Sequence, residues 1–167
     1  MKSLVLVTLI AGGIVFAQAA GATATIKDAM GNTVGNATLR ETSSGVLIKV
    51  DLMNVPPGVH ALHVHTTGKC DAPMFMTAGG HFAPGGTKHG LMATGGPHAG
   101  DLPNIFVPAD GKLSLEVLEP GVTLAAGPRS LLDADGSAIV LHATADDYMT
   151  DPAGNAGGRI ACGVITK

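Results

Sequence analysis

Histidines supply the chemistry of this sequence, and their spacing gives the first clue to its kind. Six of the seven fall between His60 and His98, in a stretch that ends at Asp101. It opens as His60-Ala61-Leu62-His63-Val64-His65, then places His81, His89, His98 and Asp101 along a loop rich in Gly and Pro. The seventh, His142, closes another apolar run. Such a loop has too few apolar residues to fold around a core of its own, and metal coordination would supply the missing organisation. On a strand, residues i and i+2 share a face. His63 and His65 can therefore reach one ion, while His60 and Leu62 face the core. His60 is expected to be a buried ring hydrogen-bonded to backbone rather than a ligand. Without it, six His and one Asp are too many for one tetrahedral ion. Asp101 follows closely on His98, and a set of His ligands completed by one Asp makes a closed zinc site. The remaining imidazoles, all nitrogen, suit Cu(II). Filling both sites requires one ring to serve both ions, and His81, central in the set, is the natural sharer.

Short strands must position these ligands. Ala22 to Asp28 alternates in the manner of a strand, Thr33 to Thr42 follows a turn at Gly31-Asn32, and Val46 to Leu52 follows Ser43-Ser44-Gly45. Pro56-Pro57-Gly58 leads into a fourth strand, Val59 to Val64. A short strand that starts near Asp101 and continues through Ile105 to Val107, then Leu113 to Leu118, Ala138 to His142 and Arg159 to Thr166 complete a set of eight. No stretch holds a helical period over three turns. The pattern predicts an all-β protein, an eight-stranded Greek-key β-barrel or sandwich with two long functional loops.

The formal net charge of −3, the lack of Trp and the single Tyr argue against a nucleic-acid partner. Residues 1–19 read as a signal peptide, with Lys2, an apolar run from Leu4 to Phe16, and the small-x-small site Ala17-Gln18-Ala19. That run is too short to cross a bilayer comfortably, so no stable membrane insertion is expected once it is removed. Residues 20–167 then form one domain, periplasmic or secreted. In an oxidising compartment the default for Cys70 and Cys162 is a disulfide. The rival, a pair of metal-binding thiolates, lacks a Cys-x-x-Cys spacing.

Five segments carry a resemblance. They are His63-Val64-His65, Ala78-Gly79-Gly80-His81-Phe82, Lys88-His89-Gly90, His98-Ala99-Gly100-Asp101-Leu102-Pro103-Asn104 and Gly154-Asn155-Ala156-Gly157-Gly158-Arg159-Ile160-Ala161-Cys162-Gly163. Together they resemble copper,zinc superoxide dismutases from about Ala22 to the C-terminus, and Gly100-Asp101-Leu102-Pro103-Asn104 looks like the bacterial, exported branch. The resemblance implies a flattened eight-strand Greek-key barrel. It implies copper on His63, His65, His81 and His142, and zinc on His81, His89, His98 and Asp101, with His81 bridging as an imidazolate. It places Arg159 beside copper to hold the anionic substrate, and has the Cys70–Cys162 disulfide tie the ligand loop to the last strand. Asp146 would accept from His63 and His89.

The implied activity is dismutation of superoxide to oxygen and hydrogen peroxide by alternate reduction and oxidation of bound copper, with His81 as proton carrier. The alternative is a non-enzymatic copper-binding or copper-delivery protein on the same fold; His142 and Arg159, both present, favour the enzyme. The second loop departs from the family in having no Lys, and Ala153 stands where a channel-wall Thr is implied. Lys69 and Lys88 are the candidates to steer superoxide instead. Met74-Phe75-Met76 is expected to be an apolar loop anchor or a subunit contact in a possible homodimer, with Cu(I) binding by its thioethers the other option.

Overall fold

Alternation along the first three strands sets the inner and outer faces of the barrel. Ala22, Ala24 and Ile26 point inward from β1 (Gly21–Asp28), and Val46, Ile48, Val50 and Leu52 from β3 (Gly45–Leu52). Between them, β2 (Thr33–Thr42) contributes Val34, Ala37 and Leu39. Its alternation slips by one residue opposite a register shift between Ile26 and Lys27. The computed structural model describes residues 21–167, so the signal peptide expected at 1–19 lies outside the described residues.

The remaining strands are β4 (Gly58–His60), β5 (Leu62–His65), β6 (Ile105–Val107), β7 (Leu113–Glu119), β8 (Ala138–His142) and β9 (Arg159–Val164). Seven of the nine strands among the described residues form one antiparallel sheet in the order β5-β8-β9-β1-β2-β3-β7, and β4 pairs with β6. β4 runs into β5 at one edge of the large sheet and β6 leads into β7 at the other, so the small sheet spans the gap. β3 beside β7 and β5 beside β8 are the Greek-key crossings that the strand pattern predicted.

One expected strand, Val59 to Val64, is divided in two at Ala61. The Ala61 N–H donates to Thr144 O at 2.9 Å and its carbonyl accepts from His142 N at 2.9 Å, so the chain changes sheets there. His60 thus stays with β6, its ring nitrogens 2.9 Å from His142 O and 2.9 Å from Pro56 O. It is the buried, backbone-bonded ring expected. The last strand stops at Val164 and touches β1 again only through a bridge from Thr166 to Thr23.

The first long loop, residues 66–104, is held as an extension of the sheet. Isolated bridges pair His65 with His81 and His63 with Asp101, along the free edge of β5. Val64 N–H donates to Gly100 O at 2.9 Å, and Phe82 N–H to Val64 O at 2.8 Å. A Cβ at Gly100 would overlap the Val64 carbonyl, so only glycine lets the loop come this close. Strand alternation then does the sorting: Phe82 and Leu102 enter the main core, while their neighbours His81 and Asp101 turn the other way. A disulfide joins Cys70 of this loop to Cys162 of β9 with Cα atoms 5.6 Å apart. Closing a loop of that span stabilises the fold by about 4 to 5 kcal/mol in the chain-entropy model. Phe75 fills a satellite cluster beside it with Val140 and Cys162. The side chain of Phe75 is therefore buried, so it serves as the loop anchor that was one of the two roles expected of 74–76. Only the two methionines face outward.

Candidate metal centre

Two groups of donor atoms converge at the edge of β5. His63, His65, His81 and His142 form one, and His81, His89, His98 and Asp101 the other; within each group the donor atoms lie within 4.8 Å of one another. All seven side chains are buried. His63 and His65 come from β5, His142 from the end of β8, and the other four from the loop pinned along β5. His142 pairs with Arg159 across a register shift that follows Leu141, which brings the guanidinium beside the first group.

In the second group three ring nitrogens crowd one carboxylate oxygen. Asp101 Oδ1 lies 2.8 Å from His81 Nδ1, 3.1 Å from His89 Nδ1 and 3.2 Å from His98 Nδ1. Its other oxygen is taken by the N–H groups of Gly90 and His98, at 2.9 and 3.0 Å. A tetrahedral ion with bonds of about 2.0 Å separates its donors by about 3.3 Å, close to the spacing found. The chemistry and geometry of this set fit zinc.

The first group offers ring nitrogens only, which suits copper. His65 Nε2 faces His142 Nε2 at 3.4 Å. His63 Nδ1 and His81 Nε2 are buried with no hydrogen-bond partner among the described residues. Such orphans are rare and costly, and a metal ion is the partner that resolves them. The rings are also in the right protonation state to coordinate. Burial, then the charge of neighbouring His81, pushes His65 down to about 2. Burial and His63 push His142 down to about 3. Burial lowers His81 to about 4, although its hydrogen bond to Asp101 opposes the shift. Each is a neutral imidazole with a free lone pair at neutral pH.

His81 belongs to both groups, Nδ1 to one and Nε2 to the other. A second connection runs through Asp146, whose Oδ2 lies 2.8 Å from His63 Nε2 and whose Oδ1 lies 3.0 Å from His89 Nε2. Burial raises the Asp146 carboxyl, but the hydrogen bonds from His63 and His89 outweigh it and hold the group ionised below its usual range. Asp147, by contrast, is exposed and bonded to Thr150 and Asn155 within its own loop.

Sequence reasoning missed the supports of Asp146. Asn104 grips its backbone twice, accepting from Asp146 N at 2.8 Å and donating to Asp146 O at 2.9 Å. Tyr148 OH accepts from Asn104 N at 2.7 Å. Gly154 presses on the pair from the second loop, and a Cβ there would overlap Asp146 Oδ1. The motifs around Asn104 and Gly154 were visible, but nothing in their spacing told what they would touch.

A cavity of about 530 Å³ leads to the first group; Met74, Met76, His81, His142, Ala153 and Arg159 are among its lining residues. Arg159 Nη1 donates to Phe75 O at 2.7 Å and Nη2 to Gly79 O at 2.6 Å, so the charge is fixed in place. Neither Lys69 nor Lys88 lines the cavity.

Known proteins give the same answer. The family profile described as copper/zinc superoxide dismutase matches residues 33–165. The chain is 49% identical over 152 residues to a protein of Aquifex aeolicus named superoxide dismutase [Cu-Zn] 2, covering 90% of this chain and 89% of that one. A crystal structure of a SOD-like protein from Bacillus subtilis superimposes with a TM-score of 0.84 at 36% identity, over 86% of this chain and 97% of that one. The Cu/Zn superoxide dismutase from Brucella abortus superimposes with a TM-score of 0.72 at 32% identity, over 88% of this chain and all of that one, 100%. With its metal-ligand groups, fold and sequence in agreement, the chain belongs to the copper/zinc superoxide dismutase family.

Proposed function

We propose that this chain converts superoxide to oxygen and hydrogen peroxide, with copper held by His63, His65, His81 and His142 and zinc by His81, His89, His98 and Asp101. One observation carries the reading: His81 presents a ring nitrogen to each donor group, beside a guanidinium that faces the cavity. Copper, when bound, supplies the one-electron chemistry, one superoxide being oxidised to oxygen and the next reduced to hydrogen peroxide. Arg159 binds the anion. Two backbone carbonyls orient its fork, and its charge persists at every relevant pH. His81 handles the proton at Nε2, the buried atom that no other residue satisfies, while Nδ1 stays toward Asp101. Asp146 keeps His63 and His89 turned so that Nδ1 of each ring faces its ligand group.

The assignment is tested by metal analysis of single variants. His142→Ala should lose copper and keep zinc, and His98→Ala should lose zinc and keep copper. The opposite losses would overturn the assignment.

The protein works in an oxidising compartment, periplasmic or secreted, after residues 1–19 are removed. The Cys70–Cys162 disulfide supports this. N-terminal sequencing of the exported protein should begin at Ala20. Among the described residues no helix is long and apolar enough to cross a membrane. We infer a homodimer through Val59 and Phe106, which pair across β4 and β6 and are both exposed, in place of the contact expected at 74–76, whose Phe75 is buried. Sedimentation of Phe106→Ser should show a shift toward monomer; an unchanged mass would reject that interface.

A further inference from the structure

The methionines are distributed unusually. Met is an adaptable filler of cores, yet all six among the described residues, Met30, Met53, Met74, Met76, Met92 and Met149, are exposed. Packing therefore explains none of them. Two stand at a place with chemistry. Met74 and Met76, 66% and 63% exposed, line the cavity that also contains His81, His142 and Arg159. Phe75 between them is buried and takes a left-handed backbone, φ 54°. The Arg159 guanidinium holds its carbonyl at 2.7 Å. This anchor holds the segment so that both flanking methionines line the cavity, close in sequence to the disulfide at Cys70.

Of the four residues assigned to copper, His63 and His65 are sealed from solvent and only His81 and His142 line the cavity. Met74 and Met76 thus line the same cavity through which His81 and His142 are reached. Thioether sulfur is a soft donor that selects Cu(I) and has little affinity for zinc. A subunit seated on Met74 and Met76 would instead cover the route to the histidines, which argues against their use as an interface.

We propose that Met74 and Met76 form a Cu(I) capture site at the cavity mouth, which takes up the ion first and passes it inward to the histidine group by ligand exchange, without electron transfer. This inference rests on the assignment of copper to His63, His65, His81 and His142.

The test uses the zinc-loaded, copper-free protein under anaerobic conditions, supplied with Cu(I) as a coloured chelator complex. Transfer is followed by loss of the chelator colour. A Met74→Leu/Met76→Leu variant keeps side-chain volume and should take up copper at least ten-fold more slowly, reaching the same final copper content. Its zinc uptake should match wild type, and so should copper uptake by Met92→Leu/Met149→Leu. A second equivalent of Cu(I) added to wild type should show sulfur ligation by X-ray absorption, absent from the Met74/Met76 variant. Equal uptake rates in wild type and the Met74/Met76 variant, or no sulfur ligation, would overturn the capture site. Failure of wild type to bind one copper at all would instead overturn the histidine assignment beneath it.

Discussion

At the scale of single residues, the centre depends on which nitrogen each imidazole leaves free. Asp146 takes Nε2 of His63 and of His89, so Nδ1 of each is left for its ligand group. Loss of such a carboxylate partner commonly weakens metal affinity by about 10- to 100-fold. Asp146→Asn should therefore bind zinc more weakly by about that factor, while Asp147→Asn, whose bonds stay within its own loop, should match wild type. A competitive chelator titration measures both, and equal constants for Asp146→Asn and wild type would reject the role. Arg159→Gln removes the one Lys or Arg among the residues that line the cavity. The rate of superoxide consumption should fall roughly ten-fold or more with both metals retained, because a charged cleft concentrates its ionic substrate. An unchanged rate would mean that the guanidinium serves only to hold Phe75 and Gly79.

At the scale of elements, the loop of residues 66–104 works because it behaves as a strand. Its bridges to His65 and His63 bring His81 and Asp101 into place, and Gly100 allows the approach. Gly100→Ala forces the backbone apart at Val64 and should cost about 1 to 3 kcal/mol, seen as a lower Tm of the metal-free protein. A Tm equal to wild type would show that the loop is not pinned there. Here the limits of the sequence become clear. The convergence of these donor groups was legible because His63-Val64-His65 alternates on a strand and because His81, His89, His98 and Asp101 crowd a polar loop with no core of its own. Asn104, Tyr148 and Gly154 were not legible, since their partners lie more than 40 residues away or across a loop whose course no local pattern describes. The division of one strand at Ala61 was hidden for the same reason: its cause is a pair of hydrogen bonds to the segment 142–144. Which member of the apolar triplet 74–76 turns inward as the anchor was not legible, because an irregular loop has no fixed side-chain period.

At the scale of the molecule, the centre links stability to pH. In the metal-free fold His65, His81 and His142 have their pKa values lowered to about 2, 4 and 3 by burial and then by neighbouring charge. Their stabilising contribution is present above the unfolded value of 6.5 and is lost as pH falls from there toward 4 and below. Glu119 acts in the opposite direction. Burial raises it to about 7, against the hydrogen bond from Gly121 and with help from Asp101. Its contribution is present below 4.5 and is lost as pH rises to about 7. Three rings outweigh one carboxyl, and each proton of difference is worth about 1.4 kcal/mol per pH unit. The Tm of the metal-free protein should therefore fall between pH 6.5 and 4.5, more steeply in Glu119→Gln than in wild type. A flat profile over that range would show that the rings are not buried as neutral groups.

The fold is shared with a Bacillus subtilis protein described as SOD-like, so the decisive question is whether the assembled centre turns over. The most direct measurement is superoxide consumption by the purified, exported protein, with copper and zinc determined on the same sample. A chain with one copper and one zinc should consume superoxide catalytically, and the activity should track copper content across partly loaded samples. A fully loaded chain that consumes no more superoxide than its metal-free form would contradict the dismutase and leave a copper-binding protein in its place.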